Sequence, residues 1–293
     1  MKNIFLFGPS GFLGPSILKR FPSITAVGRT RPPIFIKNKF IRLKDFENLK
    51  VLDKIKIDYV IFLIGNSNHH VLNKSNLDLA LGHNFYPLQK ALNYFSKRKV
   101  KKFISFSGAL LYDTKKIRIP CNEKTPLDPY RNNYLFSKFL AEEITKIYSN
   151  EIPIINIRLS NIYGPSILSR PDIILSIFEK IFFKKKVKIK SKIPIRDFIH
   201  VDDVADAVLK LCKSKFEGTI NVGTGKGTSL KKVCSIIEKI TDSKIYSDNI
   251  KVDGPMKYYH DVSLIKNVTS WRPKMKIEEG LQKTWEDIKK IKK

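Results

Sequence analysis

Acidic residues are scarce in this 293-residue chain: 27 Asp and Glu stand against 55 Lys and Arg, for a net charge of +28. An excess of that sign invites a nucleic-acid reading. The lysines, however, are scattered over every segment instead of gathering into an arm. They read as solvated side chains on outer faces, with no specific nucleic-acid partner. The densest run, Lys184-Lys185-Lys186 with Lys188, Lys190 and Lys192, follows an apolar helix-like stretch; a solvated face is the favoured reading, and a place near an anionic ligand is the alternative. Cysteine is also scarce. Cys121, Cys212 and Cys234 are odd in number and widely spaced, which excludes a disulfide framework and a zinc pattern and suits a reducing compartment. His69 and His70 are adjacent on a loop with no third ligand in view, so no metal site is expected. No apolar run approaches the roughly 20 residues that a membrane span needs. Ile4 to Phe7 is followed at once by glycine and proline, which is not the layout of a signal peptide. A cytoplasmic protein with no membrane span is the expectation.

What is present describes a globular chain, with 42% hydrophobic and 11% aromatic residues and length enough for one large domain or two smaller ones. Lys2 to Phe7 reads as a short, continuously apolar strand of the buried parallel type. Gly8-Pro9-Ser10-Gly11-Phe12-Leu13-Gly14 follows directly, then a helical pattern through Ile17, Leu18 and Phe21. Strand, glycine-rich turn and helix in that order form the context of a dinucleotide-phosphate site. Gly8 and Gly11 permit the tight turn and close backbone approach, and the helix start presents free N–H groups to a pyrophosphate. The spacing is Gly-x-x-Gly-x-x-Gly.

A second strand is expected over Ile24 to Val27, ending in Gly28-Arg29-Thr30-Arg31. Arg29 lies about 20 positions past Gly8, where an acid selects NAD and an arginine suits the 2′-phosphate of NADP. NADP(H) is therefore favoured, with NAD possible. Further strands are expected over Phe40 to Leu43, with Asp45 just beyond, over Tyr59 to Gly65, and over Lys102 to Phe106 before Ser107 and Gly108. A long helical pattern from Leu77 to Lys97 carries Asn84. Apolar strands alternating with helices predict an α/β fold, a Rossmann-like doubly wound parallel sheet with ligands at its C-terminal strand ends.

Tyr134-Leu135-Phe136-Ser137-Lys138 sits in a helix-patterned segment from Tyr130 to Tyr148. Residues four apart share a helix face, so the phenol and the ammonium point the same way. An ammonium beside a phenol favours the phenolate, and a tyrosine so tuned can exchange a proton with a hydroxyl or carbonyl. In a lysine-rich chain with 11 Tyr the pair alone also arises by chance.

The ordered motifs together carry more. With the glycine turn and the Tyr134/Lys138 pair come Arg158-Leu159-Ser160-Asn161-Ile162-Tyr163-Gly164-Pro165, Arg196-Asp197-Phe198-Ile199-His200-Val201-Asp202-Asp203, Asn221-Val222-Gly223-Thr224-Gly225 and Trp271-Arg272-Pro273. The chain resembles the extended short-chain dehydrogenase/reductase family, the NAD(P)-dependent nucleotide-sugar epimerases, dehydratases and 4-keto reductases. The resemblance implies a cofactor domain of residues 1–165 plus 197–225 and a smaller C-terminal substrate-binding lobe of residues 166–196 plus 226–293. It implies Tyr134 as acid/base and Lys138 as the residue that lowers its pKa and holds the nicotinamide ribose. Gly8, Gly11, Phe12, Leu13, Gly14, Arg29, Asp45 and Gly65 fall at cofactor positions. Asn84, Asn161, Arg196 and Lys257 fall at positions for a nucleotide-diphosphate sugar, the arginine at the diphosphate. Relatives are often homodimers through the helix of the catalytic tyrosine.

The chain departs from that pattern at Gly108, where relatives carry a Ser or Thr that hydrogen-bonds the reacting sugar oxygen. Ser107 is one residue away and is taken as the candidate third catalytic group, although neighbours on a strand point to opposite faces. The Asp-Glu pair of the dehydratases is replaced by Ala109 and Leu110, neither of which moves a proton. These features point to an NADPH-dependent 4-keto reductase of surface-polysaccharide biosynthesis. A 4-epimerase with tightly held NAD is the alternative, and a relative that binds without turnover is a third reading.

Overall fold

The computed structural model describes residues 2–32, 37–45, 48–72, 76–113, 118–166, 172–248, 250, 252 and 255–292. Among the described residues there are thirteen strands: β1 (Ile4–Phe7), β2 (Thr25–Gly28), β3 (Phe40–Arg42), β4 (Tyr59–Phe62), β5 (Lys102–Gly108), β6 (Ile154–Leu159), β7 (Asn161–Tyr163), β8 (Val187–Ile189), β9 (Ile195–Arg196), β10 (Phe198–His200), β11 (Gly218–Val222), β12 (Thr228–Ser229) and β13 (Ile245–Ser247). The helices are α1 (Gly14–Arg20), α2 (His69–Leu72), α3 (Leu77–Asn84), α4 (Tyr86–Ser96), α5 (Asn133–Ile147), α6 (Ile173–Phe182), α7 (Val201–Lys213), α8 (Leu230–Thr241), α9 (Ser263–Thr269) and α10 (Ile277–Lys292).

Seven strands form one parallel sheet in the order β11-β6-β5-β4-β1-β2-β3. Strand direction of travel reverses between β1 and β4, which opens a crevice at their C-terminal ends. Alternation along the strands feeds two cores. Ile4 and Leu6 pack with Ile17 and Leu18 of α1 and with Val204, Val208 and Leu211 of α7. Phe5 and Phe7 pack on the opposite face with Leu88, Leu92 and Phe95 of α4. Phe62 stacks on Phe103 there, with ring centroids 5.8 Å apart. Continuous apolar runs such as Ile-Phe-Leu-Phe are what a sheet buried on both faces requires.

A third core gathers Tyr163, Ile174, Phe178, Val187, Ile189, Phe198, Val233, Ile237, Leu281 and Ile288. Val262, Ile265 and Trp271 do not join it. They pack in the first core against the sheet, although the sequence reading placed the whole of residues 226–293 in the lobe. Asp203 explains the return, because its carboxylate accepts from the backbone N–H groups of Lys274 (3.0 Å) and Met275 (2.9 Å) just after Trp271-Arg272-Pro273.

The helical pattern from Leu77 to Lys97 is two helices, α3 and α4, meeting at Phe85. Pro87 stands in the first turn of α4; it has no N–H to give and its ring displaces the preceding carbonyl, so a single helix cannot run through. Among the described residues no helix is long and apolar enough to cross a membrane, and no cluster of three metal-ligating side chains is found.

Candidate active site

A cleft of about 930 Å³ opens over the C-terminal strand ends and beneath the third core. Gly11, Phe12, Leu13, Gly65, Ser107, Gly108, Tyr134, Lys138, Asn161 and Arg196 all line it. The structure thus brings ten sequence positions from six motifs to one place.

The glycine turn forms the sheet side of the mouth. Gly8 has φ +82°, and a Cβ there would stand 3.0 Å from Ile64 Cγ1. A Cβ on Gly14 would stand 2.4 Å from the carbonyl oxygen of Pro9, so the turn closes only without side chains. At the end of β2, Arg29 is exposed and stands outside the cleft lining, and Gly28 pairs with Arg42 of β3. Asp45 is exposed, outside the lining, and its carboxylate accepts from the Asn48 N–H at 3.1 Å.

The opposite wall is α5, capped at its start by Asn132, whose side chain accepts from the Leu135 N–H at 2.9 Å. Tyr134 is 8% exposed and faces the cleft. Lys138, one turn on, is held down to a pKa of about 8 by burial, against the opposing pull of Glu142. A Cβ on Gly65 would lie 3.2 Å from Lys138 Nζ and 2.9 Å from Asn84 Oδ1, so this glycine admits both side chains. Asn84 is buried and does not line the cleft. It accepts from the Asn66 N–H (2.9 Å) and donates to Ser137 Oγ (3.0 Å), which donates to the Tyr134 carbonyl (2.8 Å). Asn84 therefore braces the β4 loop and α5 and stands behind the cleft lining, not in the substrate contact expected of it.

At the floor, β5 stays extended through Gly108 (φ −154°, ψ 154°), and the backbone makes no turn that would swing Ser107 into the place of a serine at 108. Ser107 pairs with Arg158 of β6, and Arg158 reaches Glu142 on α5, so Ser107 stands on the sheet face that α5 covers. Ser105, two residues back on that face, bonds Asn156, which bonds Thr145 of α5. A Cβ on Gly108 meets nothing within 4 Å, so a side chain there has open space.

The far wall lies against the third core. Asn161 is exposed in the cleft, and Arg196 is half-buried, its guanidinium donating to the Ile195 carbonyl at 3.0 Å. Burial lowers the Arg196 pKa, leaving a cation with unmet charge for an anion. Asp197 next to it is wholly buried and accepts from Thr224 N (2.8 Å), Thr224 Oγ1 (2.6 Å), Gly225 N (3.0 Å) and His260 N (3.3 Å). The Arg-Asp pair of the motif thus divides its work between cleft and scaffold. Lys257, expected at the second phosphate position, is exposed outside the lining, its ammonium 6.0 Å from the Tyr259 ring centroid. Its neighbour Tyr258 faces the cleft instead, with its hydroxyl 3.2 Å from His260 Nε2, and burial keeps that phenol protonated.

Three lysines were missed. Lys180 of α6 and Lys188 and Lys190 at β8 line the far wall, so two of the six lysines in the run taken as a solvated face border the site. The signal was present: Val187 and Ile189 are buried, and the lysines alternate with them at strand period.

Comparison with known proteins agrees with this geometry. Residues 4–223 match the NAD dependent epimerase/dehydratase family. The UDP-glucuronate 4-epimerase of Thermodesulfobacterium geofontis is 31% identical over 166 residues, 55% of this chain and 50% of that protein's length. The CDP-abequose synthase of Salmonella muenchen is 28% identical over 306 residues, 96% of each chain. The fold superposes on the Thermotoga maritima UDP-glucose 4-epimerase with UDP-glucose at a TM-score of 0.89 and 22% identity, covering 99% of this chain and 100% of that one. With its glycine turn, its Tyr134/Lys138 wall and its seven-stranded sheet in agreement, the chain belongs to the NAD-dependent epimerase/dehydratase family of extended short-chain dehydrogenases/reductases.

Proposed function

We propose that the protein reduces the 4-keto group of a nucleotide-linked deoxysugar with NADPH, in the cytoplasmic stage of surface-polysaccharide biosynthesis. The carrying observation is the stretch after Ser107: Gly108, Ala109 and Leu110 line the cleft and bring neither hydroxyl nor carboxyl to it. Elimination of water needs a second proton-moving group there, and reduction needs one proton only. The turn at Gly8 and Gly14, closed to any Cβ, fits a pyrophosphate against backbone, with Gly11, Phe12, Leu13 and Gly65 along the cofactor side. When bound, the reduced dinucleotide supplies the hydride. Tyr134 delivers the proton to the carbonyl oxygen, and the Lys138 ammonium stabilises the phenolate left behind. Arg196 holds the diphosphate, with Asn161 on the sugar side and Lys180 and Lys190 adding positive potential along the lobe wall, where Lys188 is paired with Asp248. Arg29, with Arg42 one strand over, supports NADP over NAD.

The test is NADPH oxidation, followed by the loss of its absorbance, against a panel of 4-keto nucleotide sugars. Turnover of one of them, with loss in Tyr134→Phe, is the expected result. A 4-epimerase is the second reading, supported by neighbours such as the Bacillus cereus UDP-glucuronic acid 4-epimerase, solved with UDP-glucuronic acid and NAD at a TM-score of 0.84. Purified protein that retains NAD through dialysis and interconverts two sugar nucleotides without added cofactor decides for it. The two-part division belongs to this proposal, amended so that residues 262–271 go with the sheet. So does a homodimer through α5, supported by exposed Tyr86 and Ile147 on neighbouring helices and checked by light scattering.

A further inference from the structure

Two hydroxyls in the cleft have no hydrogen-bond partner among the described residues: Ser107 Oγ and Ser160 Oγ, both screened from solvent at the oxygen. Ser160 as a residue is 8% exposed. Buried hydroxyls are almost always paired, so two orphans lining one cleft mark where a ligand brings polar atoms. Their placement is shared. Ser107 pairs across the sheet with Arg158, and Ser160 lies two residues beyond Arg158. The Ser160 N–H still bonds the Val222 carbonyl at 3.0 Å, so sheet pairing continues past the end of β6. Both hydroxyls therefore lie on the face covered by α5, which carries Tyr134 and Lys138.

We propose that Ser160, acting with Ser107, holds the carboxamide of the nicotinamide ring. The assignment rests on the dinucleotide reading above and names two of this chain's own residues toward that group. A carboxamide carries one acceptor and two N–H donors, and a serine hydroxyl both donates and accepts, so two hydroxyls on neighbouring strands match it. Depth separates this ligand group from the sugar. Ser160 lies at the floor, where a Rossmann-type sheet receives its dinucleotide, whereas Asn161, the next residue, is exposed on the substrate side. Ser107 thereby acquires a positioning role in place of the catalytic one its neighbourhood to Gly108 suggested. Held by its carboxamide, the ring is fixed in rotation about its glycosidic bond, and that rotation decides which face meets the substrate.

The experiment uses the full chain and equilibrium binding. NADPH is titrated by its fluorescence, and ADP-ribose, which lacks the nicotinamide, by calorimetry. Ser160→Ala is expected to weaken NADPH about tenfold, the loss of one hydrogen bond, and to leave ADP-ribose and UDP-glucose affinities unchanged. Ser107→Ala is expected to act in the same direction, and the double variant to lose less than the product of the two. Unchanged ADP-ribose binding also shows that the variant is folded. Equal losses for NADPH and ADP-ribose, a loss confined to UDP-glucose, or no change in NADPH would each overturn the assignment while leaving the dinucleotide reading standing. Wild-type protein that binds neither NADPH nor NADH would overturn both.

Discussion

The Arg158 guanidinium grips the Glu142 carboxylate from two nitrogens, at 2.7 Å from one and 3.1 and 3.2 Å from the other, in a pair almost wholly removed from solvent. Arg158 also donates to the Glu123 carbonyl at 3.0 Å and lies over the Tyr112 ring, 5.1 Å from its centroid. Glu142 is one helical turn beyond Lys138 and is the charge that opposes the burial-driven fall of the lysine pKa. Arg158 neutralises much of that carboxylate, so the pair sets how strongly Lys138 keeps its proton.

A pH dependence follows with a definite sign. The working form of Lys138 is the ammonium, which is lost as pH rises past about 8 in the unliganded protein. kcat/KM is therefore expected to fall on the alkaline side from that pH. Glu142→Gln removes the charge that supports the ammonium, so the alkaline limb moves to lower pH. A limb that stays in place or moves up refutes the coupling. Arg158→Met leaves a buried carboxylate unpaired and is expected to cost about 3–5 kcal/mol in denaturant unfolding.

Lys138 is held at the expense of stability. Its pKa in the fold, about 8, is below the ordinary 10.5, so the unfolded chain binds more protons between those values and stability from this group rises with pH across that window. At neutral pH the buried ammonium weighs against folding. Lys138→Met is expected to raise the thermal midpoint of the unliganded protein at pH 7 while removing activity. A lower midpoint would show that Lys138 is a structural cation.

Tyr134→Phe keeps the ring in its buried site and removes the proton donor. A loss of about 10²–10⁴ in kcat with little change in sugar-nucleotide affinity is expected. Steady-state kinetics and calorimetry separate the two quantities.

Gly65 and Gly108 make a contrasting pair. Gly65 has φ +158° and no room for a Cβ, so Gly65→Ala is expected to lose about 1–3 kcal/mol and to displace Lys138. Gly108→Ser enters open space on an extended backbone, and its thermal midpoint should match that of the wild type. The new hydroxyl is expected to raise kcat/KM for reduction and for the reverse oxidation by the same factor, measured in both directions with one substrate pair.

Arg29→Asp is expected to weaken NADP far more than NAD. Equal effects on the two dinucleotides would remove the argument from β2.

The sheet was legible because its strands are short, continuously apolar and spaced by helices, a pattern that buried parallel strands impose. The catalytic wall was legible because residues four apart share a helix face, and Tyr134 and Lys138 indeed line one cleft. Residues whose role depends on distant partners were harder to place. Asn84 sits at a position for ligand contact, yet both ends of its amide are spent on Asn66 and Ser137, and nothing local announces that. Lys257 faces outward and Tyr258 inward because their backbone bridges Ile195, which fixes which of two neighbours faces the cleft. Ser160 was named only as part of a motif, since an unpaired hydroxyl is visible only when its surroundings are.

The return of Val262, Ile265 and Trp271 to the sheet has an evolutionary and practical corollary. The third core is not a cassette at the end of the chain: a strap within the last third of the sequence completes the hydrophobic cover over α7 and β11. A chain cut after Gly225 would leave that apolar surface bare and is expected to aggregate. Exchange of substrate specificity between relatives by grafting should therefore replace residues 166–196 and 226–261 and keep the native strap, so that the new pocket rests on a cofactor half that remains whole.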